Sequence, residues 1–512
     1  MSAKRRRTGL AAVVGMVAAL AAAASASAVT SPVRVSGPSP FSPGCSGHDE
    51  PGTNYLNAEV EPWISVNPAN TANMVGPWQQ DRWSNGGSHG LVSGYTLNRG
   101  ASWGSSFALF SRCPLLVAKG SQDVPGEPGS QWDRATDPWV SFGPTGVAHQ
   151  ISDSFNVTGR GFGNGSAILY SRSTDGGRTW SDPPTVLRSD PINTALNDKE
   201  SITADPGNPN YVYAVWDRLV APPGERANPI ATEHALGYRG PTWFTRSTNG
   251  GDSWEPAHII NNPGTQNQTI ANQIVVEPNG TLVNAFTLIY NRKNKPTPIG
   301  RLRGFNVAVQ LSSDKGASWT NSILVDKLFD ASVTTPGDNQ PVRTGDIVPD
   351  VAVDRSGGPR NGWLYLVWQD ARFNGKSAIA FSRSTDGGRT WSPAKRIDDA
   401  GDAQAFTASV DVNADGQLAV TYYDFRNDTP DTATALTDYW IQTSNDGGDH
   451  WSSATRVTPE SFDMKTAPEA GGYFLGDYEG LDHAGSAFKL FFVQANTGLV
   501  SNRTDVFYAS SP

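Results

Sequence analysis

The sequence predicts an all-β protein built from one antiparallel unit used repeatedly, and three observations carry that prediction. The 512 residues include 53 Gly and 36 Pro, about 17% turn formers against roughly 12% on average. Only 17% of residues are charged, while 16 are Trp, a balance that suits short strands packed through aromatic rings. A tight-turn motif recurs six times and an alternating strand signal seven times. The same composition excludes a coiled coil, a collagen-like chain and a disordered tail protein.

The chain opens with Lys4, Arg5, Arg6 and Arg7, then an apolar stretch from Leu10 to Ala24. Ala26-Ser27-Ala28 follows, a small-residue cleavage pattern before Val29. Residues 1–28 are therefore expected to be a signal peptide and the mature chain to be secreted. Its removal leaves 36 basic against 49 acidic residues, a net charge of −13. So acidic a surface argues against nucleic acid or an anionic membrane as partner. In an oxidising compartment Cys45 and Cys113 are expected to form a disulfide. No cysteine cluster suggests a structural metal, and the seven His residues show no HExxH spacing. No metal or cofactor is expected; Ca²⁺ would suit acidic loops, but no loop has a calcium-binding spacing.

The turn motif reads Ser/Thr-x-Asp/Asn-x-Gly-x-x-Trp. It runs from Thr96 to Trp103, Ser173 to Trp180, Ser247 to Trp254, Ser312 to Trp319, Ser384 to Trp391 and Ser444 to Trp451. The Asp or Asn side chain can accept from backbone N–H groups inside the turn, and Gly supplies a positive φ. Trp then adds a large buried surface at the start of the next strand.

These six copies resemble the Asp-box, or BNR, repeat of the sialidase superfamily, over nearly all of the mature chain. The resemblance implies a β-propeller in which each motif joins the third and fourth strands of a blade. It also places the motifs on the face away from the active site, so their Asp residues are expected to be scaffold.

A looser repeat marks the first strand of each unit. It begins at Glu61, Asp137, Glu200, Gln273, Asp350, Ser409 and Glu479. Seven openings for six turn motifs leave a last unit of three strands, ending at Pro512. The alternating segment Pro32–Ser36 is expected to supply the fourth strand, because an open edge would invite pairing with other chains. The expectation is a single propeller, seven-bladed and closed by an N-terminal strand, with six blades as the alternative. In domain terms, residues 29–57 form the N-terminal segment and 58–512 the propeller.

Chemistry is expected where the loops between second and third strands meet those leading into the first strands. Asp81-Arg82-Trp83, Asp217-Arg218, Asp370-Ala371-Arg372 and Asp424-Phe425-Arg426 follow second strands. Arg binds carboxylates with a two-pronged fork, and Trp and Tyr faces stack on sugars. Arg82, Arg218, Arg372, Arg426, Trp83 and Asp477 are therefore the candidate substrate-binding residues. Each Asp/Arg pair can equally be a local salt bridge holding its own loop. Gly476-Asp477-Tyr478-Glu479-Gly480 is the least repeat-like polar cluster. The sialidase resemblance implies a Tyr nucleophile paired with a Glu and a separate acid/base. Tyr478 with Glu479 fits the first role, and Asp81 or Glu200 the second. The chain lacks the Arg-Ile-Pro motif of sialidases.

The leading expectation is a secreted, sialidase-like glycoside hydrolase acting on terminal or acidic sugars of a glycan, as a monomer. A non-catalytic glycan- or protein-binding propeller and a polysaccharide lyase are the alternatives, since propellers host many functions. Arg residues converging on one point would favour the hydrolase. Arg residues each tied to their own Asp would favour binding.

Overall fold

The computed structural model describes residues 29–46, 51–158, 161–191, 193–221, 239–290 and 304–512. The expected signal peptide lies outside the described residues. Among the described residues the fold is all-β, with one eight-residue helix, Arg112–Lys119, and two short 3₁₀ turns. No helix among the described residues is long and apolar enough to cross a membrane.

The strands fall into consecutive antiparallel groups, each running 1-2-3-4 across its sheet. The first strands of the groups are Ser65–Val66, Arg134–Phe142, Ala195–Ala204, Gln268–Val276, Asp350–Val353, Ala405–Val412 and Gly480–Ala484. All seven sequence openings fall on or beside these strands. The first two groups share one sheet through a Ser88–Ala135 pair. The last group has three strands of its own, and Val33–Arg34 pairs antiparallel with its outer strand, opposite Tyr508 and Phe507.

These first strands are stitched to one another in sequence. Phe142 N donates to Ser65 Oγ, Ala204 N to Ser141 Oγ, and Ser201 Oγ to the Asn272 carbonyl. Gln273 Nε2 donates to the Pro349 carbonyl and Val410 N to Asp350 Oδ2. Ser409 Oγ donates to the Glu479 carbonyl, and Val66 N to Asp482 Oδ2. The last bond returns the series to the first group.

The six turn motifs share one geometry. In the second, Gly177 N donates to Ser173 Oγ at 2.9 Å and Thr179 N to Asp175 Oδ1 at 2.9 Å. The motif Trp packs on the preceding group: Trp254 on Tyr170 at 4.9 Å, Trp319 on Phe244 at 5.5 Å and Trp451 on Phe381 at 5.4 Å. The motif Gly is required by the same contact. Gly448 has φ 87°, and a Cβ there would overlap the Phe381 ring. Cys45 and Cys113 are joined with Cα atoms 5.0 Å apart, which ties the N-terminal segment to the helix.

Candidate functional site

The antiparallel order puts the start of each first strand and the end of each second strand at one end of the sheets. The motif turns lie at the other end. At the first end, several first strands carry a bulge with a left-handed residue. Glu61 (φ 53°), Asp137 (φ 49°), Lys199 (φ 47°), Ala271 (φ 60°) and Thr407 (φ 49°) occupy this position. The register shifts at the last four of these, between Thr136 and Trp139, Asp198 and Ser201, Ile270 and Gln273, and Phe406 and Ser409. Such a conformation costs about 1–2 kcal/mol for a residue other than Gly, and strain of this kind collects at functional sites. The first three positions carry charges, whereas Ala271 and Thr407 do not, so the repeat is broken on one side only.

Lys199 is the hub. Its Nζ lies 2.7 Å from Asp477 Oδ2, 2.9 Å from Asp137 Oδ1 and 3.4 Å from Glu61 Oε1. Arg343 reaches Asp477 from above, with Nη2 2.7 Å from Oδ2. Glu61 accepts from Gln79 Nε2, whose amide oxygen accepts from Arg82 Nη1 at 2.6 Å. Arg82 and Arg343 both stack on Phe474, at 4.8 and 4.5 Å. Arg82 Nε has no hydrogen-bond partner although the residue is buried. Beneath them Trp63 stacks on Trp139 at 3.5 Å, and Tyr478 meets the Trp139 ring edge-on at 5.3 Å. The Tyr478 hydroxyl is buried without a partner. Arg343 belongs to a hairpin, Val333–Thr334 with Pro341–Arg343, which pairs with Tyr473–Phe474.

Two carboxyls on the same lysine are driven apart. Burial pushes Glu61 up to about 8; Lys199 opposes this, while Asp137 and Asp477 add to it. Burial also raises Asp477, but Arg343 and Lys199 outweigh it and hold that carboxyl well below the usual range. At neutral pH one is an acid and the other an anion, the pattern that separates proton donor from carboxylate in hydrolases. Burial pushes the Tyr478 phenol up, and Asp137 and Glu61 push it further. Burial lowers Arg82, with Arg343 adding to the effect.

The sequence candidates divide between this cluster and the surrounding walls. Asp477, Tyr478 and Arg82 are brought together. Glu479 is elsewhere: its carboxylate accepts from the Tyr423 hydroxyl at 2.8 Å and from Val493 N at 3.2 Å, joining the last two groups. Consecutive residues on extended chain face opposite sides, so Glu479 turns away as Tyr478 turns in. Asp81 accepts from Ser39 Oγ, Asn57 N and His89 Nδ1, holding the N-terminal segment. Glu200 sits one position past the left-handed residue and accepts from Asp153 N; burial, then Asp137 and Asp153, push its carboxyl up. Trp83 lies under the Arg134 guanidinium, 4.2 Å away. Arg218 forks onto Asp190 at 2.8 and 3.0 Å. Arg372 bridges Asp370 and Asp326 at 3.0 and 2.8 Å. Arg426 joins Asp424 and Asp399 at 2.6 and 2.7 Å. These three arginines hold their own walls and do not converge.

Lys199 and Arg343 were not among the candidates, and Glu61 and Asp137 stood only as carboxylates at the entry to first strands, without a named role. Glu61-Pro62-Trp63, Asp137-Pro138-Trp139 and Lys199-Glu200-Ser201 superpose position by position, so the register of the repeat could have found Lys199. Arg343 sits in a hairpin outside the repeat and left no signal. Away from this end, Asp411, Asp482 and His483 bring three possible metal-binding atoms within 4.8 Å of one another. His483 Nδ1 already pairs with Asp411 at 2.8 Å, and Asp482 accepts from Val66 N and His483 N.

No family model matches the chain, and no curated protein matches it. Solved structures with similar chain paths include a Hadza microbial sialidase, 16% identical with TM-score 0.47, covering 87% of this chain and 74% of that one. An α-L-arabinofuranosidase from Fusarium graminearum is 12% identical with TM-score 0.45, covering 77% and 92%. A leech intramolecular trans-sialidase is 14% identical with TM-score 0.41, covering 90% and 70%.

Proposed function

We propose that the protein is a secreted glycoside hydrolase that cleaves a terminal acidic sugar at the centre of a seven-bladed propeller. Residues 58–512 form the propeller and 29–57 the segment that closes it. The observation that carries this reading is the one-sided cluster of Arg82, Lys199 and Arg343 around Glu61 and Asp477. Three cations drawn from separate parts of the chain suit a substrate carboxylate. A protonated Glu61 beside an ionised Asp477 suits acid-assisted cleavage of a glycosidic bond. On this reading the Tyr478 oxygen bonds the anomeric carbon as its proton passes to Asp137, the leaving oxygen takes the proton of Glu61, and Glu479 takes no part. The cluster is buried, which strengthens each of these interactions.

A glycan array read for both cleavage and retention tests the activity. On a cleaved glycan, Tyr478→Phe should lower turnover by orders of magnitude with little loss of stability. Full turnover in that variant removes Tyr478 from the mechanism. Retention of an acidic glycan without cleavage supports the second reading, a binding propeller. The separate Asp partners of Arg218, Arg372 and Arg426 favour that alternative.

A further inference from the structure

At the same end of the sheets as the buried cluster lies a groove of about 580 Å³, within the usual range of roughly 300–1,000 Å³ for ligand pockets. Its walls come from loops of the same two classes that build the cluster. Lys376 and Phe425 follow second strands, whereas Thr334, Asn339, Asp402 and Gln404 lead into first strands. Ser332 and Thr334 also line a second cavity of about 280 Å³, and Arg343 lies on its wall. The two cavities thus share Ser332 and Thr334 at the start of the hairpin, and the second is lined by Arg343 at its end.

We propose that this groove binds the neutral sugar units of an oligosaccharide whose acidic end occupies the central cluster. The substrate is then an extended glycan rather than a simple glycoside. The proposal rests on the hydrolase reading above and specifies its substrate. The groove is built in advance. Gln404 Nε2 donates to the Thr334 carbonyl at 2.7 Å, and Thr334 N donates to Gln404 Oε1 at 3.2 Å. At the hairpin tip, Lys465 Nζ joins Asp338 at 2.8 Å and also donates to the Thr432 carbonyl. A preformed groove avoids the ordering cost of binding. Its chemistry differs from that of the cluster. Asp402, Asn339 and Thr429 offer hydroxyl-matching groups around Phe425, and Lys376 Nζ donates to the Asp402 carbonyl at 2.8 Å. Where the cluster concentrates three cations, the groove mixes both signs with amides and hydroxyls, as uncharged sugar hydroxyls require. A single element, the hairpin, forms one wall of the groove and carries Arg343 to Asp477, so both parts of one ligand would meet it.

The test compares 4-nitrophenyl glycosides of glucuronic acid and N-acetylneuraminic acid with tetra- and hexasaccharides ending in the same sugars. It uses the full mature chain and the exposed-site variants Thr429→Trp and Ser332→Trp. The longer glycans should be cut with kcat/KM about tenfold higher or more than the nitrophenyl probes. Both variants should erase that advantage through KM while leaving the nitrophenyl rates unchanged. Equal rates for short and long substrates in the unaltered protein overturn the groove and leave the hydrolase reading intact. Loss of both rates by one factor in the variants does the same. If no probe is cut or bound, the hydrolase reading fails and the groove proposal fails with it.

Discussion

Glu61 is held in a left-handed backbone conformation, buried, and placed on a lysine that already serves two other carboxylates. Its proton is therefore retained in the folded protein to about pH 8, whereas the unfolded chain releases it near the ordinary value of 4.5. Between those values the folded state binds more protons, so raising the pH favours unfolding. This contribution is complete below about 4.5 and lost as pH rises through about 8. Glu61→Gln removes the titration. The stability of the natural protein relative to this variant should thus fall steadily across that window, as read from denaturant unfolding at several pH values. A constant difference would mean that Glu61 is ionised in the folded state. On the proposed hydrolase reading, kcat/KM on a cleaved glycan should fall on an alkaline limb near pH 8, and Glu61→Gln should remove that limb from any activity it retains.

At the scale of elements, the turn motif acts between groups as much as within its own. Asp386 Oδ1 accepts from Thr390 N and Arg389 N and so closes the fifth motif turn. Gly448 in the sixth lets its turn lie flat on Phe381 of the preceding group. Gly448→Ala would both strain a positive φ and press a methyl into the ring, and should cost about 1–3 kcal/mol. Thermal unfolding should show the loss, while ligand binding at the far end of the sheet stays unchanged. A variant as stable as the parent would mean that the groups are not packed this tightly. The hairpin carrying Arg343 is the contrasting element, since it belongs to no repeat and brings a charge to the site.

For the whole molecule, the segment around Val33–Ser36 meets the final strand. Beyond the Val33–Arg34 pairing, Val35 N donates to the Val506 carbonyl at 2.8 Å and Ser36 Oγ to Asp505 at 2.7 Å. The Cys45–Cys113 bond, 68 residues apart, anchors the same segment, and the loop-entropy model assigns it about 4 kcal/mol. Deleting residues 29–40 should leave Thr504–Ser511 as an open edge that pairs with other copies. Light scattering should rise and the melting temperature fall. A deletion variant that stays monodisperse with unchanged melting would show that this strand is dispensable.

The repeat was legible in the sequence because its causes are local. A Ser, an Asp and a Gly within five residues make their turn bonds wherever the chain lies, and alternation marks a strand before its partners are known. The disulfide and the pairing of Pro32–Ser36 with the final strand followed from counting what would otherwise be left unpaired. The site was legible only in part. Asp477 and Tyr478 stood out as polar residues off the pattern, yet so did Glu479, and Arg82 belonged to the same recurring Asp/Arg pairs as Arg218, Arg372 and Arg426, which hold walls together. Local sequence cannot say which way a side chain faces at a bulge, nor that residues 61, 137, 199, 343 and 477 share one lysine-centred cluster. Those relations depend on how the inner strands and the Arg343 hairpin are arranged in space. They were decided by tertiary structure, because burial and mutual charge, the forces that set Glu61 and Asp477 apart, exist only once distant segments have met.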